Sequence, residues 1–443
     1  MTALYFILAT VLVLAAAASL HGSRFPAYGR GFAVLVLFYG LLVKPLFVAL
    51  ALPSEEFIAQ FILAPLSVSE YWTGSVLLLG CYLLFVVAMI STSHMLRRVR
   101  RDRASKRDIR FVLGRSWALM AIGMLGLVAF FSQNLELLFG ASKNILATDD
   151  LAEYSGSGGL RLLSSILYFI PFLMFVNIGA GYKVASSSRL MWTAVIAWVA
   201  FGFFSDQRGA ILFSVFSWLI AYRIFVRKIG TRQLLAASGI ALAMVFVRTV
   251  LRLTSDDAGL LATANEIVGN YIGRNLVENA KTLIIMKSIP EQLAYGYGSS
   301  YLDSILILIP RALFAAKQTV NLDTIIGMSV FGCEAFGACG VPPGLIAESY
   351  LNFGIVGLPF MMLLCGWLTA WLDWKAAGGT VLFRTLYAAS FVYFGLSVLG
   401  SSVSSFTTQA VMHVLVLVVA YFMLRRIRRA PALSATPGLV AMP

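Results

Sequence analysis

Apolar runs close to the length of a membrane-crossing helix recur along the chain at 2–20, 32–52, 72–95, 112–132, 160–180, 190–204, 209–222, 234–251, 344–372, 385–403 and 407–424, each followed by a polar or charged break. About 20 residues of helix cross the hydrocarbon of a bilayer, so the pattern predicts eleven spans. The longest stretch without one is 252–343. Its apolar segment "YLDSILILIPRALF" is short and is interrupted by Asp303 and Pro310, which suits a re-entrant or surface helix better than a span. The tips "GYGSSY" (296–301) and "GCEAFGACGVPPG" (332–344) have the Gly and Pro content of loops. No repeat of 20–50 residues is visible, and the Pro/Ala-rich tail 430–443 is predicted to be disordered. The expected fold class is therefore all-α: a polytopic integral membrane protein forming one transmembrane domain over 1–429, with a large external loop, 252–343, between the eighth and ninth spans.

Composition excludes a soluble globular chain. Of the 443 residues 60% are hydrophobic and only 12% charged, with a mean hydropathy of +0.86, too apolar for a water-facing surface around a core. The charges give the orientation. Segments 21–31, 96–111, 181–189, 223–233, 373–384 and 425–429 hold 22 of the 34 Lys/Arg but only three of the 20 acids, Asp102, Asp108 and Asp373. By the positive-inside rule these face the cytoplasm. An odd number of spans then puts the N-terminus outside and "RRIRR" with its tail inside. The net charge of +14 is mostly this topology signal plus attraction to anionic lipid. Nucleic acid is not implied, because "RRVRRDRASKR" has no interleaved aromatic residues. Residues 1–20 lack a basic start and are followed by Arg24 and Arg30, so an uncleaved first span is expected rather than a secretory signal. Cys81 and Cys365 fall within spans. Cys333 and Cys339 share the external loop, either as a small disulfide ring or as two free thiols. That loop has no His, which argues against zinc.

The stretch "FGFFSDQRGAILF" (201–213) puts Asp206 and Arg208 between two apolar runs. The first run, 190–204, makes only about 22 Å of helix at 1.5 Å per residue, against ~30 Å of hydrocarbon. The turn is therefore expected below the outer surface, where charges face a polar cavity or a partner. Arg248, Arg252, Arg274 and Arg311 fall on the same face, and Lys44 is a further intramembrane cation or one that snorkels. Several arginines at one end of a membrane bundle suit phosphate or pyrophosphate, whose oxygens match the guanidinium fork.

Three segments carry a resemblance. "SDQRGAIL" is similar to the "gsRGa-l" signature of O-antigen and related oligosaccharide repeat-unit polymerases, "LILIPRALFAAK" to their "l-PR-lw--Kp" element, and "PPGLIAESYLNFGIVG" to their "--s-igE-y-nFG--G" segment, in the family's order over about 208–357. Arg248 and Gly259 also meet a family spacing. Phe314 and Gln318 stand where the family has Trp and Pro around Lys317. The resemblance implies a GT-C-like bundle and a glycosyltransferase that polymerises polyprenyl (undecaprenyl) pyrophosphate-linked oligosaccharide into O-antigen or a related surface polysaccharide. The reaction would take place on the periplasmic face of a bacterial inner membrane, and the enzyme would work with a chain-length regulator protein. Expected roles follow. Fixed cations stabilise the leaving pyrophosphate: Arg208 and Arg311 first, then Arg248, Arg252, Arg274 and Lys317. Glu348 is expected to take the acceptor proton, with Asp303 and Glu334 behind it. Tyr295, Tyr297, Tyr301 and Tyr350 are candidates for stacking on sugars. Pyrophosphate already leaves well, so neither metal nor cofactor is expected. The alternatives are an O-antigen ligase transferring glycan to lipid A core and a lipid-linked oligosaccharide flippase. The ligase is disfavoured because no His stands in the loop, the flippase because no two related halves are visible.

Overall fold

The computed structural model describes residues 1–21, 27–50, 66–98, 109–133, 160, 163–204, 208–227, 239, 279–306, 322–332 and 341–427. They are mostly helical. In chain order the elements are α1 (Thr2–Ala18), α2 (Tyr28–Phe38) running through a π turn (Tyr39–Val43) into α3 (Lys44–Leu50), α4 (Val68–Arg98), β1 (Ile109–Phe111), α5 (Leu113–Gln133), α6 (Ile166–Gly179), α7 (Val184–Phe204) and α8 (Arg208–Phe225). Three short helices follow, α9 (Asn279–Lys287), α10 (Ser299–Leu306) and α11 (Leu322–Phe331), then α12 (Gly344–Gly378), α13 (Val381–Ala389), α14 (Phe394–Gly400), α15 (Val403–Leu424) and β2 (Arg425–Ile427).

Among the described residues six helices are long and apolar enough to cross a membrane: Tyr28–Leu50, Val68–Arg97, Leu113–Ser132, Val184–Phe203, Gly344–Gly378 and Val403–Leu424. Val381–Ala389 and Phe391–Gly400, bent by 50°, make a seventh if they are one span. Thr2–Ala18, Ile166–Gly179 and Ile211–Phe225 are shorter apolar helices at three further predicted positions. The predicted eighth span, 234–251, lies outside the described residues. Six or seven of the eleven expected spans thus have full length among the described residues. The three shorter helices fall short of the bilayer: 17 residues of α1 rise about 25 Å at 1.5 Å per residue, less than the ~30 Å core.

Helix α6 is the central post. It is apolar all round, and every residue from Leu167 to Asn177 is buried, as expected of a helix with neighbours on all sides. Helices α5, α7, α8, α13 and α15 pack around it. A second group is built on α12 lying along α4, with Gly366 on the Phe85 backbone, where a Cβ would collide with the Phe85 carbonyl. Such small-residue contacts suit membrane helices, which gain close packing rather than hydrophobic burial by association. Outward-facing Leu77, Leu125, Ile196 and Val356 are exposed, as a lipid-facing surface requires.

The bundle has two chemically different ends. At one, β1 and β2 pair antiparallel, Ile109 opposite Ile427, a small exception to the all-α expectation that ties 109–111 to 425–427. Asn177 secures the same corner, accepting from Phe111 N (2.8 Å) and donating to Phe111 O (3.0 Å). Here the cations satisfy helix C-terminal carbonyls: Arg384 donates to Ala376 and Ala377 at the end of α12, and Arg115 to Met423 at the end of α15. Carbonyls at a helix C-terminus are unpaired and carry negative partial charge. All described basic segments thus gather at one end. The opposite end holds the start of α8, the short helices of the large loop and the starts of α12 and α15.

Arg30 and Asp373 differ from their expected place in solvated loops. Both are fully buried and form a 3.0 Å ion pair. Asp373 also accepts from Gly29 N (2.9 Å), Arg30 N (3.2 Å) and the Tyr387 hydroxyl (2.6 Å), while Arg30 donates to Ser19 O (2.8 Å) and Ser93 Oγ (2.9 Å). Burial of a charge in a membrane bundle requires such partners.

Candidate functional site

The segment "ESYLNFG" folds as the first turns of α12, which break at Gly354 (φ 61, ψ −155). That left-handed conformation is open to glycine and strained for other residues, and it makes 344–353 a short separate helix beneath the end of the bundle. The "GYGSSY" turn lies against it. Gly296 N donates to Leu351 O (2.8 Å), and the Asn352 side chain accepts from Gly298 N (3.0 Å) while donating to Ser300 Oγ (2.8 Å) and Glu348 O (2.8 Å). The two loop motifs are one hydrogen-bonded unit.

Glu348 is the junction of this unit with α15. Its side chain is 0% exposed. It accepts from the Val403 and Ser404 backbone N–H groups and from Ser300 Oγ (3.1 Å). Helix N-termini offer unpaired N–H groups and positive partial charge, and Ser402 completes the cap by accepting from Ser405 N (3.0 Å). Both carboxylate oxygens are engaged and sealed. Glu348 is thus an anchor for α15 and the 296–301 turn, a geometry unsuited to meeting a substrate hydroxyl.

A second carboxylate is more open. Asp323, at the start of α11, is half-buried and accepts from Ser405 Oγ (3.2 Å). Burial raises its pKa above the ordinary carboxylate range, against the lowering effects of the Ser405 hydroxyl and the charge of Lys281. Lys281 is itself buried on α9. Asn279, on the same helix, donates to the Tyr5 hydroxyl (2.9 Å) and leaves its Oδ1 buried without a hydrogen bond.

The predicted tyrosines divide. Tyr295 stands 6.2 Å from Tyr350 and 6.3 Å from Tyr297, ring centre to ring centre, and its hydrogen bond to Tyr350 raises its pKa. Tyr297, held at φ 47 between two glycines, is 84% exposed. These three form an aromatic rim. Tyr301 instead packs against Phe353 (5.9 Å); its hydroxyl is buried, and burial followed by the Glu348 charge pushes its pKa up. Asp303 is half-buried on α10. Lys44 is buried, 5.9 Å from the centre of the Tyr39 ring. Arg208 is the first residue of α8, which puts its backbone at this end; its side chain lies outside what is described. Asp206, Arg248, Arg252, Arg274, Arg311, Lys317, Cys333, Glu334 and Cys339 lie outside the described residues. No group of three or more His, Cys, Asp or Glu able to hold a metal stands among the described residues.

Lys281, Asp323, Asn352 and the Ser402–Ser405 cap were not singled out in the sequence. The cap was legible, since "SSVSS" ahead of an apolar run is an N-cap signature. Lys281 and Asp323 lie on helices of nine and ten residues, too short for periodicity to assign. No family model, curated protein or solved structure matches this chain.

Proposed function

We propose that the chain is a membrane glycosyltransferase that polymerises polyprenyl-pyrophosphate-linked oligosaccharide repeat units at the end of the bundle opposite the basic segments, the periplasmic face of a bacterial inner membrane. The observation that carries this reading is the joining of the two loop motifs "GYGSSY" and "ESYLNFG" to the start of α15, at the end where Arg208 opens α8. In the reaction an acceptor sugar oxygen bonds to the donor anomeric carbon while the bond from that carbon to the pyrophosphate oxygen breaks. Polyprenyl pyrophosphate leaves with the electron pair, and the acceptor proton passes to a carboxylate.

Arg208 and Arg311, backed by Arg248, Arg252, Arg274 and Lys317, supply the charge that stabilises the leaving group as negative charge grows on it. Glu348 positions the site. Asp323 is the described carboxylate suited to accept the proton, because it is only half-buried and its raised pKa brings it nearer the working pH. The rim of exposed Tyr297 and half-buried Tyr295 and Tyr350 offers rings to the growing glycan.

The test is chain extension by purified protein given lipid-linked repeat units. Wild type should give a ladder of lengths. Arg208→Ala and Arg311→Ala should each slow extension about 100-fold or more, and Asp323→Asn by a similar factor, without loss of folding. Glu348→Gln should instead lower Tm, because its amide N–H would face the N–H groups of α15. No ladder from wild type, with lipid crossing the bilayer or glycan moving to a lipid A core acceptor instead, would replace the polymerase by a flippase or a ligase.

A further inference from the structure

Beneath this end of the bundle, among α6, α7, α8, α13, α14 and α15, lies a partly open cavity of about 280 Å³. Its walls are aromatic: Tyr168, Trp198, Phe213, Tyr393 and Phe406. Most polar wall groups are already paired with one another. Trp198 Nε1 donates to Ser214 Oγ (2.7 Å), the Tyr393 hydroxyl to Phe213 O (2.7 Å), the Tyr168 hydroxyl to Ala389 O (2.6 Å), and Ser390 Oγ shares a 2.7 Å bond with His413 Nδ1. These bonds fix the shape of the walls. Two side chains make no hydrogen bond at all. The Gln409 amide, exposed at the open side of the cavity, and the half-buried Ser397 hydroxyl line it and have no hydrogen-bond partner among the described residues. On α15, Phe406, Gln409 and His413 follow one another at three and four residues, so a single helix face presents ring, amide and imidazole together.

We infer that this cavity binds one neutral sugar ring. No charged side chain stands among its described lining residues, so a phosphate or an ion has no counter-charge there. A purely apolar occupant such as an isoprenoid unit would cover the half-buried Ser397 hydroxyl without pairing it, which is costly, and would offer nothing to the Gln409 amide at the cavity's open side. A pyranose offers both kinds of surface these walls accept: C–H faces for the rings and hydroxyls for the free amide and hydroxyl. The volume lies at the lower limit of ligand cavities, roughly 300–1,000 Å³, which admits one ring rather than an oligosaccharide. Gln409 is six residues past the start of α15, and Phe213 five past the start of α8. At 1.5 Å per residue that is ~9 Å and ~8 Å below the rim, directly under the proposed reaction site. That the sugar belongs to a lipid-linked substrate rests on the proposed glycosyl transfer; the cavity's chemistry does not.

The experiment uses the full chain in phosphatidylethanolamine/phosphatidylglycerol nanodiscs. Tryptophan emission is followed on addition of octyl glucoside, galactoside, mannoside and N-acetylglucosaminide, each below its micelle concentration, with octanol as the sugar-free probe. At least one glycoside should change the emission saturably while octanol does not, and Trp198→Phe should remove the response. Gln409→Leu and Ser397→Ala should each weaken binding about tenfold with Tm unchanged, since neither side chain has a protein partner to lose. Octanol acting as well as the glycosides, no glycoside saturating, or Gln409→Leu binding like wild type would each overturn the sugar site. Saturable glycoside binding by a protein that builds no ladder would support the site and remove the polymerase. A full-rate ladder from the Gln409→Leu/Ser397→Ala double variant, with its glycoside binding lost, would remove the cavity from the substrate path and leave the polymerase standing.

Discussion

Arg30 and Asp373 sit 343 positions apart in the chain and 3.0 Å apart in space, with no exposure of either side chain. Removing one partner strands the other as an unpaired buried charge, and such losses cost about 3–5 kcal/mol. Asp373→Ala should therefore lower thermal stability in detergent sharply, while Arg30→Leu/Asp373→Leu should recover much of the loss; equal damage in both would mean that the pair's shape, not its charge, matters. In the sequence these residues read as loop charges, because a linear window cannot show that a carboxylate and a guanidinium meet. Glu348 shows the opposite case. In the sequence it reads as an acid at the start of a span; its partners, Val403, Ser404 and Ser300, are distant in sequence, and they make it an anchor for α15.

Elements are legible where a local rule governs them. The stretch 301–314, broken by Asp303 and Pro310, reads as a surface or re-entrant helix; its described part lies on α10, which buries Ser300 and Ser304 and exposes Leu302 and Ile305. The break at Gly354 was not expected, since "NFGIVG" continues an apolar run without Pro. It is needed because 344–353 must hold the 296–301 turn and α15, while the rest of α12 lies along α4. Gly354→Ala, forced into a positive-φ extended conformation essentially reserved for glycine, at a cost of about 1–3 kcal/mol, should lower Tm by a few degrees and reduce chain extension more than its stability loss explains. Unchanged extension would separate the kink from function. The π turn at Tyr39–Val43, just before buried Lys44, likewise left no local signal.

For the whole molecule, the gathering of basic segments at one end and of the loop motifs at the other gives a topological expectation. With the four cysteines replaced by alanine, Tyr297→Cys should react with a membrane-impermeant thiol reagent from the periplasmic side and Arg426→Cys only from the cytoplasmic side. Labelling of both from one side would contradict the two-ended bundle. The sequence by itself determined that this is a mostly helical membrane protein and which described basic segments share an end, because transfer of apolar residues into lipid and retention of Lys/Arg on one side act on each segment separately. Only the tertiary structure decided which charges are buried partners, that Glu348 is sealed while Asp323 is half-open, and that a ring-lined cavity with a free amide lies below them. Those properties come from contacts between residues tens to hundreds of positions apart, and hydrophobic periodicity carries no record of such contacts.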